Sequence, residues 1–376
     1  MKKYIQITSY VAFLFAFLST CEKRQDLAHR SDLGVKKYEL VIPHGIHVLN
    51  NMSSVFNEAG KDSLVLMDGR TQQFILADLS HKKILKTIPY EKQGPDFVDA
   101  PVHDLAWRKD KLFILSTNFI SVYNEEGQVL SRIGLKDLSE LEPYFIMSFD
   151  FWDAHHLVLS TTPKASVYQG GSYPLSKDHS LFALINWENG KLEFLPIRSP
   201  QESLVYDSIL GYYNDYAMHR GVVNNQKLTY QFSFSAGLYR WQKNTNERKM
   251  IEAKSKFSKF QRTPTRIIAN SPKEMTDYRY LPKEPYYWKL MFDQSTGWFA
   301  RIHGQVVKDG DETSYQNYLM IFDTLLNTLY DAPIKSDIVS GARTGVFTNG
   351  KVYLLKATPP TEDAYHFTVY DFNGGN

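Results

Sequence analysis

The sequence predicts an all-β chain folded as a six-bladed β-propeller of four-stranded antiparallel blades, and three observations predict it. Aromatic residues make up 14% of the chain, with 24 Tyr and 23 Phe, and flat or branched side chains suit a pleated strand better than a helix. A hairpin of apolar strand, tight polar turn and second strand recurs six times, as SSVFNEAGKDSLVLMD, HDLAWRKDKLFILS, SFDFWDAHHLVLST, HRGVVNNQKLTYQFS, WKLMFDQSTGWFARIH and RTGVFTNGKVYLLKA. After most of these hairpins comes another strand pair around a charged turn, for example ISVYNEEGQVLSRI and GLYRWQKNTNERKMIEA. Four strands per unit follow, with alternate apolar residues facing the neighbouring blade, as an antiparallel meander requires.

In chain order, residues 1–20 read as a secretory signal. Lys2 and Lys3 precede an apolar run whose centre, Val11 to Leu18, carries no charge, which is the basic-start, greasy-middle layout of an export peptide. Gln6, Thr8 and Ser9 leave the run short of the roughly 20 residues of a membrane-crossing helix. Cys21, the single cysteine of the 376 residues, has no partner for a disulfide, and a lone thiol at this position points to lipid attachment. Residues 21–35 then read as a polar tether, and 36–376 as the propeller. The net charge of +2 falls to 0 when Lys2 and Lys3 leave with residues 1–20, which hold no acids, so the basic field of a nucleic-acid binder is absent.

The second strands of the six hairpins open at Leu64, Leu112, Leu157, Leu228, Trp298 and Val352, at intervals of 48, 45, 71, 70 and 54 residues. Propeller blades repeat at about 40–50 residues, and the longer intervals leave room for loop insertions. The last unit is short of strands, whereas KKYELVIP, residues 36–43, precedes the first. Tyr38 to Ile42 is therefore expected to lie beside residues 366–372 as the outer strand of the last blade, closing the ring and removing an open edge.

Turns within the first and last hairpins of a blade emerge on one face, and here they are short: WRKDK, VNNQK, FTNGK, NEEG and WENG. The long segments fall on the other face, among them STTPKASVYQGGSYPLSKDH in the third blade and HGQVVKDGDETSYQN in the fifth, both read as loops. Binding residues concentrate on loops held by a rigid scaffold, and these segments carry many tyrosines, among them Tyr173, Tyr213 and Tyr287. A tyrosine offers a flat apolar body with a polar tip, fit for a sugar, a peptide or a protein surface.

Aligning the hairpins sets Met52, His103, Ser148, His219, Trp288 and Arg343 in one column near the channel entrance and Ser53, Asp104, Phe149, Arg220, Lys289 and Thr344 in the next. Strict alternation would let only one column face the channel, and the pattern does not choose between them. Candidate ligand-binding residues are accordingly His103, His219, Arg220, Trp288, Arg343, Tyr173, Tyr213 and Tyr287. Neighbours in a strand point to opposite faces, so His103–Asp104 and His219–Arg220 are not catalytic dyads, and a hydrogen-bonded structural role is the competing reading. The sequence contains no metal-binding His or Cys motif, no phosphate-binding glycine loop and no G-x-S-x-G elbow, and no catalytic residue, cofactor or metal is expected.

Leu18-Ser19-Thr20-Cys21 resembles the lipobox of bacterial lipoproteins, with Thr20 where Gly, Ala or Ser is usual. Gln93-Gly94-Pro95-Asp96-Phe97 resembles the G-x-G-P-x-[EF] turn found between the blades of the six-bladed propeller lipoproteins of Bacteroidota, without its first glycine. That resemblance covers nearly the whole mature chain and implies the fold, a lipid anchor and an outer-membrane location, facing the periplasm or the cell surface. The function expected is a monomeric, non-catalytic binding module that takes a protein, saccharide or peptide on its loop-rich face. The alternatives are a propeller hydrolase or lyase with its site at the channel mouth, and a structural or sensor module.

Overall fold

The computed structural model describes residues 34–43, 56–58, 62–68, 71–163, 179–198, 204–207, 211–214, 219–232, 235–258, 286–309, 312–334, 345–356 and 364–373. Six four-stranded antiparallel sheets form the blades. Blade 1 is β2 (Phe56–Glu58), β3 (Ser63–Asp68), β4 (Gln73–Asp78) and β5 (Lys83–Pro89), and blade 2 is β6 (Val102–Arg108), β7 (Lys111–Ser116), β8 (Phe119–Tyr123) and β9 (Val129–Gly134). Blade 3 is β10 (Tyr144–Phe151), β11 (His156–Pro163), β12 (Phe182–Asn186) and β13 (Leu192–Phe194). A separate two-stranded ribbon, β14 (Leu204–Asp207) with β15 (Gly211–Asn214), lies before blade 4, which is β16 (His219–Asn224), β17 (Lys227–Phe232), β18 (Gly237–Gln242) and β19 (Glu247–Glu252). Blade 5 is β20 (Tyr286–Asp293), β21 (Trp298–Asp309), β22 (Glu312–Phe322) and β23 (Thr328–Ile334).

Blade 6 takes its strands from both ends of the chain. β24 (Gly345–Thr348), β25 (Lys351–Leu355) and β26 (Ala364–Asp371) are completed by β1 (Lys36–Pro43), which pairs with β26 over eight positions from Lys36↔Asp371 to Pro43↔Ala364. The expected ring closure is therefore present, with Tyr38 opposite Val369 and Ile42 opposite Tyr365. Alternation in β1 drives Leu40 and Ile42 inward, 2% and 0% exposed, into the cluster between blades 6 and 1. On the other face of β1, Glu39 meets Lys356 Nζ at 2.7 Å and His366 Nδ1 at 3.2 Å, and hydrogen bonds from both hold its carboxyl below the usual range.

The short turns follow from backbone chemistry. Lys109–Asp110, Asn225–Gln226 and Asn349–Gly350 each place two successive residues at positive φ, the geometry of two-residue hairpin turns whose twist matches that of the flanking strands. The core is a set of apolar seams between blades. The seam between blades 2 and 3, for example, gathers Phe113, Leu115, Leu157, Leu159, Ile185 and Trp187.

The seam between blades 4 and 5 is different, because β21 carries Arg301, His303 and Gln305 on the face where the other seams have apolar side chains. Arg301 is fully buried; it donates to the carbonyls of Ala236 and Ala253 and lies 4.1 Å over the Tyr287 ring. His303 stacks on Tyr318 with centroids 4.9 Å apart, and burial, reinforced by the Arg301 charge, pushes its pKa down to about 3, so the imidazole is neutral.

The segment HGQVVKDGDETSYQN, expected as a loop, is a β-ribbon. β21 and β22 stay paired from Gln305↔Gln316 to Asp309↔Glu312, five rungs beyond the last position where β20 or β23 accompanies them. Val306, Val307, Thr313 and Tyr315 are strand formers interleaved with polar residues, and with polar residues on both sides the segment reads as a loop until its cross-strand partner is known. This ribbon forms an arm beyond blade 5.

Candidate functional site

A cavity of about 750 Å³ occupies the centre of the ring, lined by the innermost strands of blades 2 to 6: β6, β10, β16, β20 and β24. The volume lies in the range of roughly 300–1,000 Å³ usual for small-ligand sites. The cavity reaches from His103, Ser148 and Lys289 down to the β6–β7, β16–β17 and β20–β21 turns at Lys109, Asn225, Gln226 and Gln294. It therefore opens on the face of the short turns, opposite the face that the sequence singles out.

Strict alternation, which would admit one column to the channel, does not hold. β6, β10 and β20 each slip register near their upper ends, at His103, Met147 and Trp288. A bulge places two residues opposite one and re-aims the side chains that follow. Members of both columns, His103 with Asp104 and Ser148 with Phe149, consequently line the cavity. At the third bulge Trp288 turns into the seam between blades 5 and 6 while Lys289 lines the channel.

His103 Nε2 meets Thr117 Oγ1 at 3.0 Å. Tyr287 is not a loop residue: it stands in β20, fully buried against Arg301 and His303. His219 and Arg220 open β16, opposite Phe232 and Gln231, and Tyr213 lies in β15 opposite Val205. Tyr173, Arg343 and Cys21 fall outside the described residues. Of the candidates, His103 stands in the cavity wall.

The strongest chemistry in the channel is a residue that sequence reasoning passed over. Asp150, in β10, has its carboxyl raised to about 6 by desolvation, aided by the negative charge of Asp104 and opposed by the N–H groups of Val223 and Phe151 and by Arg108. Two acids on one cavity wall would ordinarily suggest acid–base work. Here every carboxylate oxygen already accepts a backbone N–H. Asp104 takes Leu105 at 3.0 Å and Phe149 at 3.1 Å, and Asp150 takes Phe151 at 2.7 Å and Val223 at 2.6 Å. The long-range bonds of each pair tie blade 2 to blade 3 and blade 3 to blade 4. The sequence signal for this was present as an acid inside the apolar strand SFDFWD, but its partner in β16 lies 73 residues away.

Among the described residues, no group of three or more His, Cys, Asp or Glu side chains is placed to hold a metal ion. No helix among them is long and apolar enough to cross a membrane.

Residues 36–331 match the model of a domain of unknown function, DUF4221. The chain belongs to that family. The crystal structure of a family member from Bacteroides vulgatus ATCC 8482 superposes with a TM-score of 0.67 at 15% identity, covering 90% of this chain and 98% of the other. A Bacteroides fragilis NCTC 9343 protein described as a candidate exported protein gives 0.55 at 11% identity, covering 89% and 94%. Regucalcin from Agrobacterium tumefaciens, described as a calcium-binding protein, follows at 0.46 and 10% identity, covering 89% and 95%. No curated protein matches the chain. At these identities the first two likenesses show the fold alone, and the family assignment agrees with the six-bladed-propeller resemblance read from the repeats and the inter-blade turn.

That turn, at Gly94 to Phe97, is bound firmly to blade 2. Asp96 Oδ1 accepts Val129 N–H at 2.8 Å, the Phe97 carbonyl accepts the Tyr123 hydroxyl at 2.8 Å, and the Arg132 guanidinium lies 4.4 Å over the Phe97 ring.

Proposed function

We propose that this DUF4221 protein is a non-catalytic binding module of the cell envelope, held to the outer membrane by lipid on Cys21 and engaging a macromolecular partner through its loop-bearing face. The observation that carries the reading is the arm, a ribbon of β21 and β22 that runs five rungs past its blade. Connections between second and third strands emerge on the same face as the links between blades, so the arm stands on the face that also bears Tyr213 in β15 and the start of β16 at His219 and Arg220. Among the described residues no strand pairs with the arm along that length, and an unpaired ribbon edge offers backbone donors and acceptors to a partner strand. The lipid supplies anchorage through its acyl chains, at about 0.8 kcal/mol per buried methylene.

The rival reading, a hydrolase or lyase, has one observation in its favour, the Asp150 carboxyl held near 6. Against it stands the use of all four Asp104 and Asp150 oxygens by backbone amides, which leaves the pair as straps between blades.

The test is the full-length protein against a variant whose arm is cut at Gln305 and Gln316 and rejoined by a two-residue turn. Retention of a defined envelope partner by the intact protein, lost on shortening while the melting temperature holds, supports the reading; equal retention by both refutes it. Cys21→Ser should move the chain from the membrane fraction to the soluble fraction, and an unchanged distribution refutes the lipid anchor.

A further inference from the structure

The short-turn mouth of the channel is built differently from both the arm face and the strapped carboxylates above it. Trp107, Phe151, Trp152 and Phe292 all line it and all keep part of their surface exposed. Each packs part of its ring into a seam between blades, and Arg108 covers a face of Phe151, so the flat apolar platforms left to a ligand are the partly exposed rings of Trp107, Trp152 and Phe292. Around them stand the side-chain amides of Asn225, Gln226 and Gln294, exposed on the turns of blades 4 and 5. Each amide offers donors and an acceptor together, which matches a hydroxyl that both gives and takes a hydrogen bond. Flat faces for C–H surfaces, ringed by amides for hydroxyls, are the complement of a pyranose.

Charge then separates along the channel axis. Arg108 and Lys109 line the rim. The Arg108 guanidinium lies 4.6 Å over the Phe151 ring and spends one N–H on the Asp153 carbonyl at 3.3 Å. The remaining N–H groups form a planar donor fork, the shape that takes a carboxylate by two parallel bonds. Asp150 and Asp104 lie along the same wall, so an acidic ligand is attracted at the rim and repelled from the carboxylates. The wall above the rings mixes polar Asp104, Ser148 and Lys289 with apolar Phe149, Met291 and Val346, so an acidic peptide is the competitor to set against the sugar.

We infer that the short-turn mouth is a binding site for a carboxylate-bearing oligosaccharide, with sugar rings against the Trp107 and Trp152 platforms and an acid group on Arg108. This site is on the face opposite the arm and does not depend on the arm reading.

The full chain contains six tryptophans, two of them at this mouth, so intrinsic fluorescence reports occupancy directly. Titration with a hexamer of galacturonic acid should change the tryptophan emission saturably. Maltohexaose, neutral and of equal length, should bind about tenfold more weakly, the worth of one charge-assisted contact. Arg108→Gln should remove that tenfold preference, and Gln294→Ala, an exposed substitution on a different blade, should weaken both sugars without altering the melting temperature. The arm-shortened variant should bind the hexuronate as the parent does, which separates failure of this site from failure of the arm. No saturable change with hexuronate, equal affinity of the parent for both sugars, affinity untouched by Arg108→Gln and Gln294→Ala, or tighter binding of hexaglutamate would each overturn the assignment.

Discussion

Replacing Asp150 by Asn tests whether the channel carboxylate is a strap whose charge the fold tolerates at a cost. The folded carboxyl sits at about 6 against an ordinary 3.8. A raised acid favours its protonated form in the folded state, so its contribution to stability is fully present below 3.8 and is lost as pH rises through 6. The whole difference corresponds to about 3 kcal/mol at 1.36 kcal/mol per unit, of which about 2 kcal/mol falls between pH 4.5 and pH 7.5. Asp150 keeps part of its surface on the cavity, and water there screens the charge, which makes about 2 kcal/mol the upper bound. Asn does not titrate and retains one acceptor for the Val223 N–H, so it mimics the protonated acid. Urea unfolding of parent and Asp150→Asn across that pH range should show the variant gaining on the parent by about 1–2 kcal/mol as pH rises. Acids remote from Asp150 titrate equally in both proteins and cancel in the difference. Parallel stability profiles for the two would refute the raised carboxyl and its buried-strap geometry.

Two further substitutions test the ring itself. Ile42→Ala removes a fully buried side chain from the closing strand and should cost about 2–5 kcal/mol in thermal or urea unfolding, with amide exchange accelerated across β1 and β26; a loss confined to below 1 kcal/mol would show that the closure is not held by this seam. Arg301→Ala leaves the carbonyls of Ala236 and Ala253 without their donor in a buried seam and should cost about 2–6 kcal/mol, about 1–3 for each orphaned carbonyl, measured in the same way, whereas a neutral effect would mean that the guanidinium is not buried.

The blade repeat was legible because its signals are local. Each second strand begins within one residue of its expected start, from Ser63 to Lys351, since alternation and turn chemistry are written in neighbouring residues. Closure by residues 36–43 was also legible, because an unpaired strand at each end of a repeat has one place to go. The site was legible only in part. Trp107 and Arg108 sat in a hairpin already in view, but their meeting with Trp152, Gln226 and Gln294 depends on how four blades converge.

The sequence by itself determined that this chain is six antiparallel sheets closed by its own first strand, for the physical reason that strand periodicity and tight turns need no distant partner. Tertiary structure decided which face carries the open cavity, that bulges at His103, Met147 and Trp288 send two columns toward the channel, that Asp150 finds an amide 73 residues away, and that one seam buries Arg301. Those outcomes depend on which polar group lies across a blade boundary, and a bulge or a buried charge is stable only when that partner is already in place.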